Sequence, residues 1–491
     1  MTPECNASSG SAIKPLCIDC DGTLIKTDLL HESLIRIILR KPWILFSLMS
    51  WVFRGRAHLK SKLALLIHPE FSVLPFRDEV LHLARERKKM GGKVLLATAS
   101  HGILARKVAD HCGIFDEVVA SDEFTNLKGV EKKSLLVQKF GEKGFDYVGD
   151  SSSDFVVWAS SHTAIVVGDS ESFAKRVSKV NENVIHLNED VRSSVSWLKL
   201  LRIHQWAKNL IIFVPLVTSH RIFESPTLPQ ALAAFFSFSF LASATYIFND
   251  LCDLDNDRAH AAKRRRPLAD GSITLPAAVI AAFLLGAAAV GTGFALGLGF
   301  LLVLAVYLCV SLLYSSFFKK SALLDVIVLA GLYIWRLVAG GVASGIVLSN
   351  WLLSFALFIF TSLALAKRYV EISDSPLQKF KKFPVALGRG YRASDVHLIF
   401  ALGVSSAMVS VLVVLVYVSS PDVVVLYKHP QVLFLLAPLV LFWISRIWLL
   451  ASRGGLNEDP VLFAVKDRCS YAVAACMLGV VIVATFSVFY K

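Results

Sequence analysis

The sequence predicts a multidomain chain: an N-terminal α/β domain built on a mainly parallel sheet, then an all-α polytopic membrane domain of about nine transmembrane helices. Three observations carry that expectation. The chain has 491 residues, enough for two domains. Its hydrophobic content of 55%, with 33 Phe, is too apolar for an ordinary soluble enzyme. Near residue 195 the pattern also changes. Short apolar runs between charged helical stretches give way to long apolar stretches between short charged loops.

Residues 1–13 are polar and lack the apolar core of a signal peptide, so they are expected to be disordered. In residues 14–195, "KPLCID", "KVLLATAS", "DEVVAS", "FDYVGD" and "TAIVVG" are compact apolar runs ending in small or polar residues. Helical patterns such as "FRDEVLHLARERKKMGG" separate them, which is the alternation of a parallel α/β fold. "KPWILFSLMSWVFRGR", residues 41–56, has an apolar core too short to cross a bilayer. It reads either as a buried helix of the soluble domain or as an interfacial helix, with Trp43 and Trp51 at headgroup depth.

Residues 196–491 make up the membrane domain, with candidate spans at about 209–223, 229–248, 275–296, 298–317, 322–343, 350–367, 395–418, 431–450 and 470–490. The first is short. Cations cluster after the second, fourth, sixth and eighth spans, at Lys263–Arg266, Lys319–Lys320, Lys367–Arg392 and Arg453–Arg468. That bias, within a net charge of +13, predicts a multi-pass protein of the cell (inner) membrane with its N-terminal domain in the cytoplasm. A basic stripe with interleaved aromatics is missing from the soluble part, which argues against nucleic acid as a partner. Of the eight cysteines, Cys252, Cys309, Cys469 and Cys476 lie in or beside apolar segments as small hydrophobes. Cys17 and Cys20 bracket Asp19 on a strand-like run, an arrangement unsuited to redox chemistry, and no disulfide is expected.

Chemistry concentrates in two places. In "CIDCDGTLI" Asp19 and Asp21 are two apart, so an extended segment turns both carboxylates to one side. Thr98 follows in "LLATAS", Lys132 in "NLKGVEKKSLL", and Asp150 and Asp154 in "YVGDSSSD". In order and spacing these motifs resemble the haloacid dehalogenase-type phosphatases over roughly residues 14–170. The resemblance implies a Rossmann-like parallel sheet with a helical cap at about residues 28–80. It makes Asp19 the nucleophile, Asp21 the acid and base, Thr98 and Lys132 the phosphate contacts, and Asp19, Asp150 and Asp154 the ligands of Mg2+. Lys133 is the weaker alternative to Lys132.

The second place is "FNDLCDLDNDRAHAAKRRRPLADG". On a helix continuing from the second span, Asp250, Asp253 and Asp257 share a face, and Asp255 points elsewhere. Three carboxylates with Asn249 at a membrane boundary suit Mg2+ bridging to a diphosphate. The motif, with "KRRRPLADGSI" after it, resembles the UbiA-type polyprenyltransferase superfamily over about residues 197–491. "LRIHQWAKN", "YSSFFKKSALLDVIVLAGLYIWRLVAGG" and "LAKRYVEI" resemble its polyprenyl-phosphate phosphoribosyltransferase branch. Where ordinary prenyltransferases carry a second aspartate-rich motif, this chain keeps only Glu371 and Asp374 beside two cations. That departure suits a donor with an additional phosphate.

The resemblance therefore implies phosphoribosyl transfer from phosphoribosyl diphosphate to a polyprenyl phosphate. Asp250, Asp253 and Asp257 would hold Mg2+. Asn249, Arg266, Lys208, Lys367 and Arg368 would bind substrate, and Tyr314 and Lys319 would act at the reacting centre. Arg336 reads either as a further contact or as an intramembrane partner of Asp325. The tract holding Lys382, Arg389 and Arg392 reads as phosphate contacts or as positive-inside anchoring. The fused phosphatase would remove the 5-phosphate from the lipid-linked product. The alternative is prenyl transfer from a prenyl diphosphate to an aromatic acceptor, with an independent phosphatase. A scaffold with two idle sites is disfavoured by the intact motifs.

Overall fold

The computed structural model describes residues 13–53, 56–66, 70–122, 125–168, 170–187, 194–221, 224–373, 390–456 and 459–486. By its contacts the chain divides into two units: Met1–Leu201 with Ile247–Ala281, and Arg202–Tyr246 with Ala282–Lys491. The aspartate-rich stretch thus makes its contacts with the α/β part.

The first unit is built on six parallel strands: β1 (Leu16–Ile18), β2 (Val94–His101), β3 (Glu117–Ser121), β4 (Asp146–Gly149), β5 (Ala164–Val167) and β6 (Val184–Leu187), in the order β3-β2-β1-β4-β5-β6. The strands read as continuous apolar runs because both faces are covered. Alternation sends Leu16, Ile18, Leu96 and Val148 into one core and Cys17, Leu95, Tyr147 and Val166 into the other. The winding direction reverses at β1, which pairs with β2 on one side and β4 on the other. Such a switch point opens a crevice at the carboxyl ends of the strands.

Between β1 and β2 the chain forms the expected helical insertion: α1 (Leu29–Arg40), α2 (Leu45–Phe53) and α3 (Arg56–Leu66), followed by α4 (Asp78–Lys89). Asp28 starts α1 by accepting from the Leu30 and His31 backbone N–H groups at 2.7 and 3.2 Å. Residues 41–53 are partly packed into the helical insertion. Ile44 and Leu48 pack with Ile37 and Leu63, whereas Trp43, Phe46 and Phe53 stay exposed. The remaining helices of this part are α5 (Gly102–Cys112), α6 (Val130–Phe140), α7 (Phe155–Ser160), α8 (Glu171–Val177) and α9 (Ser194–Leu200). The cysteines among the described residues are unpaired by disulfides.

The rest is helical: α10 (Val214–Thr218), α11 (Thr227–Cys252), α12 (Leu254–Ala259), α13 (Leu275–Ala295), α14 (Leu298–Ser316), α15 (Leu324–Ser344), α16 (Asn350–Ser373), α17 (Val396–Val418), α18 (Pro421–Leu426), α19 (Leu436–Ser452), α20 (Pro460–Lys466) and α21 (Arg468–Phe486). Eight helices among the described residues are long and apolar enough to cross a membrane. The first of the nine expected spans, about 209–223, differs. It forms a 3-10 stretch, Ile203–Phe213, and then the five-residue α10. Pro215 lies in the first turn of α10, where its missing N–H is tolerated, so it marks a new helix start and not the continuation of a span. The 3-10 stretch lies tight on α15. A Cβ on Gly340 would fall 2.0 Å from the Ile212 carbonyl oxygen, so only glycine fits there.

Candidate functional sites

In the α/β unit the strand register brings the motif ends together. Ile18 pairs with Leu96 and with Val148, so Asp19, Thr98 and Asp150 emerge side by side. Lys132, from α6, places its Nζ 3.1 Å from Asp19 Oδ1 and 3.8 Å from Asp154 Oδ1. It also donates to the Tyr147 hydroxyl at 2.8 Å, and that hydroxyl donates to Asp154 at 2.9 Å. Lys132 is buried and faces the acids, while Lys133 is half-buried. Asp21 accepts from the Leu29 N–H at 2.8 Å and from the Ser100 hydroxyl. Asp150 accepts from Thr23 at 3.0 Å. Thr98 is buried, and its Oγ1 accepts from the Ser100 N–H at 3.0 Å. Gly22 is required twice over, by φ +76° and because a Cβ there would lie 2.2 Å from Asp150 Oδ2.

The electrostatics match. Burial pushes Asp19 up to about 6, with the Asp154 charge adding to it and Lys132 opposing. Burial likewise pushes Asp21 up to about 7, with help from Asp28, and Asp150 up to about 7, with help from Asp19 and Asp154. Ligand oxygens of Asp19, Asp150 and Asp154 lie within 4.8 Å of one another. Crowded, desolvated hard-oxygen donors of this kind fit a divalent cation such as Mg2+.

The aspartate-rich stretch is almost one continuous helix. Only Asp253 departs from helical geometry, between α11 and α12. Helical hydrogen bonds cross the break, from Asp253 N–H to Asn249 O at 2.9 Å and from Asp257 N–H to Asp253 O at 2.8 Å. Asp250 and Asp257 are buried and meet on Arg266, at 3.1 and 2.5 Å. Asn249 and Asp253 are half-buried. Arg266, expected as a phosphate contact, is thus engaged by two of the expected metal ligands. Asp255 does point elsewhere, to Arg36 of α1 at 2.5 Å.

In the second unit, sequence reading missed the residue that organises the cations. Asp459 accepts from Lys208 and Lys367, each at 2.9 Å, and from the Tyr333 hydroxyl at 3.2 Å. Burial opposes its ionisation, yet Lys367 and Lys208 outweigh burial and hold its carboxyl well below the usual range. Arg368 donates to Asp325, to Glu371 and, at 2.9 Å, to the Tyr314 hydroxyl. Arg336 is therefore not the partner of Asp325. It donates to Asn209 at 2.8 Å, and Asp325 is held by Arg368 and Tyr391. Eleven residues along one helix separate Asp325 and Arg336 by about 16 Å, so a cation from α16 wins. Lys319 is half-buried in a 3-10 turn, and Arg392 is exposed. Asp374, Lys382 and Arg389 lie outside the described residues.

Residues 211–464 match the UbiA prenyltransferase family. The chain is similar to "Uncharacterized protein y4nM" of Sinorhizobium fredii, at 38% identity over 96% of this chain and 91% of that protein. It is also similar to the decaprenyl-phosphate phosphoribosyltransferase of Corynebacterium glutamicum, at 37% identity over 36% of this chain and 54% of that enzyme. Among solved structures, a UbiA homolog from Archaeoglobus fulgidus bound to GPP and Mg2+ aligns with TM-score 0.44 and 18% identity, covering 58% of this chain and 99% of that one.

Proposed function

The chain belongs to the UbiA prenyltransferase family, and from that premise we propose a two-step membrane enzyme that builds a pentosyl lipid. The first step transfers phosphoribose from phosphoribosyl diphosphate to a polyprenyl phosphate. A phosphate oxygen of the lipid bonds to C1 of the ribose as the C1–O bond to diphosphate breaks, and pyrophosphate leaves with the bonding electrons. Lys208, Lys367 and Arg368 bind phosphate groups, Asn249 and Arg266 orient the donor, and Tyr314 and Lys319 serve the reacting centre.

The second step removes the 5-phosphate. An Asp19 oxygen bonds to phosphorus as the bond from phosphorus to the C5 oxygen breaks, and Asp21 protonates that oxygen. Water, deprotonated by Asp21, then cleaves the acyl phosphate and releases inorganic phosphate. Thr98 and Lys132 bind the phosphoryl oxygens. Bound Mg2+ supplies charge neutralisation, with Asp250, Asp253 and Asp257 as its ligands for transfer and Asp19, Asp150 and Asp154 for hydrolysis.

One observation carries this reading. A complete phosphatase constellation, with Lys132 Nζ 3.1 Å from Asp19, sits on a chain similar to enzymes named decaprenyl-phosphate phosphoribosyltransferase. The clustering of cations in alternate loops supports a cytoplasmic position for both sites at the cell (inner) membrane. Purified protein with Mg2+, polyprenyl phosphate and phosphoribosyl diphosphate tests the proposal. Pyrophosphate release from that donor is expected. Release from a prenyl diphosphate with an aromatic acceptor instead would favour the prenyl-transfer reading.

A further inference from the structure

Lysines line the cavity over Asp19 beyond the one that faces the nucleophile, alongside the carboxylates of Asp19, Asp21, Asp28 and Asp150. The cavity measures about 410 Å³, and besides Lys132 its walls present Lys26, Lys60 and Lys128. Lys60 reaches in from α3. Its Nζ donates to the Ala99 carbonyl at 2.6 Å and toward Asn126 Oδ1 at 3.4 Å, both neutral partners. Asp21 and Asp28 act on this ammonium only through space, so an incoming phosphodiester would be its first charged hydrogen-bond partner. The reacting phosphoryl group already has Lys132, the Asp19 loop and the metal ligands.

The same cavity is also lined by Thr274, Leu275 and Pro276. Leu275 begins α13, a helix long and apolar enough to cross a membrane. This wall is held in place. Arg258 donates to buried Glu32 at 2.7 and 3.2 Å, and Glu32 accepts from Thr27, itself a lining residue, at 2.8 Å. A Cβ on Gly271, at φ +78°, would come 2.6 Å from Lys26 Cβ, so this loop is pressed against the lysine.

We propose that Lys26, Lys60 and Lys128 form a second anion subsite, so that the phosphatase substrate is a lipid-anchored sugar with two phosphates. The monoester reacts at Asp19. The phosphodiester to the lipid sits among the three lysines and takes no part in bond changes, and the lipid chain leaves past Thr274–Pro276. This deepens the proposed function and rests on it for the source of the substrate.

The test uses the full chain in detergent with Mg2+ and three synthetic probes. They are ribose 5-phosphate, a 5-phosphoribosyl phosphodiester of a short isoprenol, and the matching isoprenyl glycoside without the diester. Wild type should hydrolyse the diester probe with kcat/KM ~10-fold or more above the other two. Lys60→Ala and Lys128→Ala should erase that preference mainly through KM, and Lys60→Arg should keep it. Lys60 supports the Ala99 carbonyl, so the exposed Lys128 is the variant that separates recognition from folding. Equal rates on all three probes in wild type would overturn the subsite. So would a preference for both isoprenyl probes alike, or a parallel loss on every probe in Lys128→Ala. Because the probes are supplied ready-made, the outcome is independent of whether phosphoribosyl diphosphate is the donor, which pyrophosphate release reads separately.

Discussion

Two buried carboxylate sites in this chain are neutralised in opposite ways. In the α/β unit, Asp19, Asp21 and Asp150 crowd together with Lys132 as the main cation, and burial raises all three above the ordinary range. In the second unit, Asp459 alone receives Lys208 and Lys367, and its carboxyl is held low. The first arrangement is short of positive charge and suits an incoming cation. The second holds two lysines on one carboxylate, and a bound phosphate there would share or replace that carboxylate as their partner. The contrast teaches that clustered acids mark a metal site only where their cations are too few. By that test the Asp250–Asp257 pair is intermediate, since both carboxylates share Arg266.

The comparison can be broken or sharpened by substitution. The largest effect should come from Asp250→Ala, which removes a ligand without touching the phosphatase. Pyrophosphate release should fall ~1000-fold, and hydrolysis of ribose 5-phosphate should persist. Asp459→Asn should strand the buried Lys208 and the half-buried Lys367 and lower stability by ~3 kcal/mol, read as a fall in thermal midpoint in detergent.

Glu32→Gln should cost a similar ~3 kcal/mol at neutral pH, because Arg258 and Arg36 would lose their shared partner. The pH dependence has a defined sign. Burial pushes the Glu32 carboxyl up, but Arg258 and Arg36 hold it below its ordinary 4.5. Its contribution is therefore present above pH 4.5 and is lost as the pH falls below that value, so wild type and variant should converge in acid. The smallest effect has the opposite direction. Asp150→Asn relieves crowding and should raise the stability of the metal-free protein by ~1 kcal/mol, while abolishing the further stabilisation that Mg2+ gives wild type. A loss of metal-free stability in Asp150→Asn would undo the contrast between the two sites.

Legibility in the sequence follows from how local each feature is. Asp19, Thr98 and Asp150 were legible because each ends an apolar run, and parallel pairing of β1, β2 and β4 brings such ends together. Asp250 and Asp257 were legible from helical spacing, and the break at Asp253 leaves that spacing nearly intact. Asp459 was not legible. It precedes Pro460 and accepts from the Val461 N–H, so in sequence it is an ordinary helix cap, and its lysines lie 251 and 92 residues away. Glu32 and Arg36 are an i, i+4 pair on α1 whose burial no local pattern reveals, because it depends on Arg258, 226 residues further along the chain. The Asp325–Arg336 pairing failed for the converse reason. Both lie on α15, but opposite charges on one helix do not meet across three turns when another helix offers a closer cation.

The most direct measurement is mass spectrometry of the lipid formed by the purified protein from polyprenyl phosphate, phosphoribosyl diphosphate and Mg2+, for wild type and Asp19→Asn side by side. Wild type should yield a polyprenyl-phosphoryl pentose, and Asp19→Asn should accumulate the same lipid still carrying its 5-phosphate. A lipid without pentose in both samples, or an identical dephosphorylated product from Asp19→Asn, would contradict the coupling of the two sites.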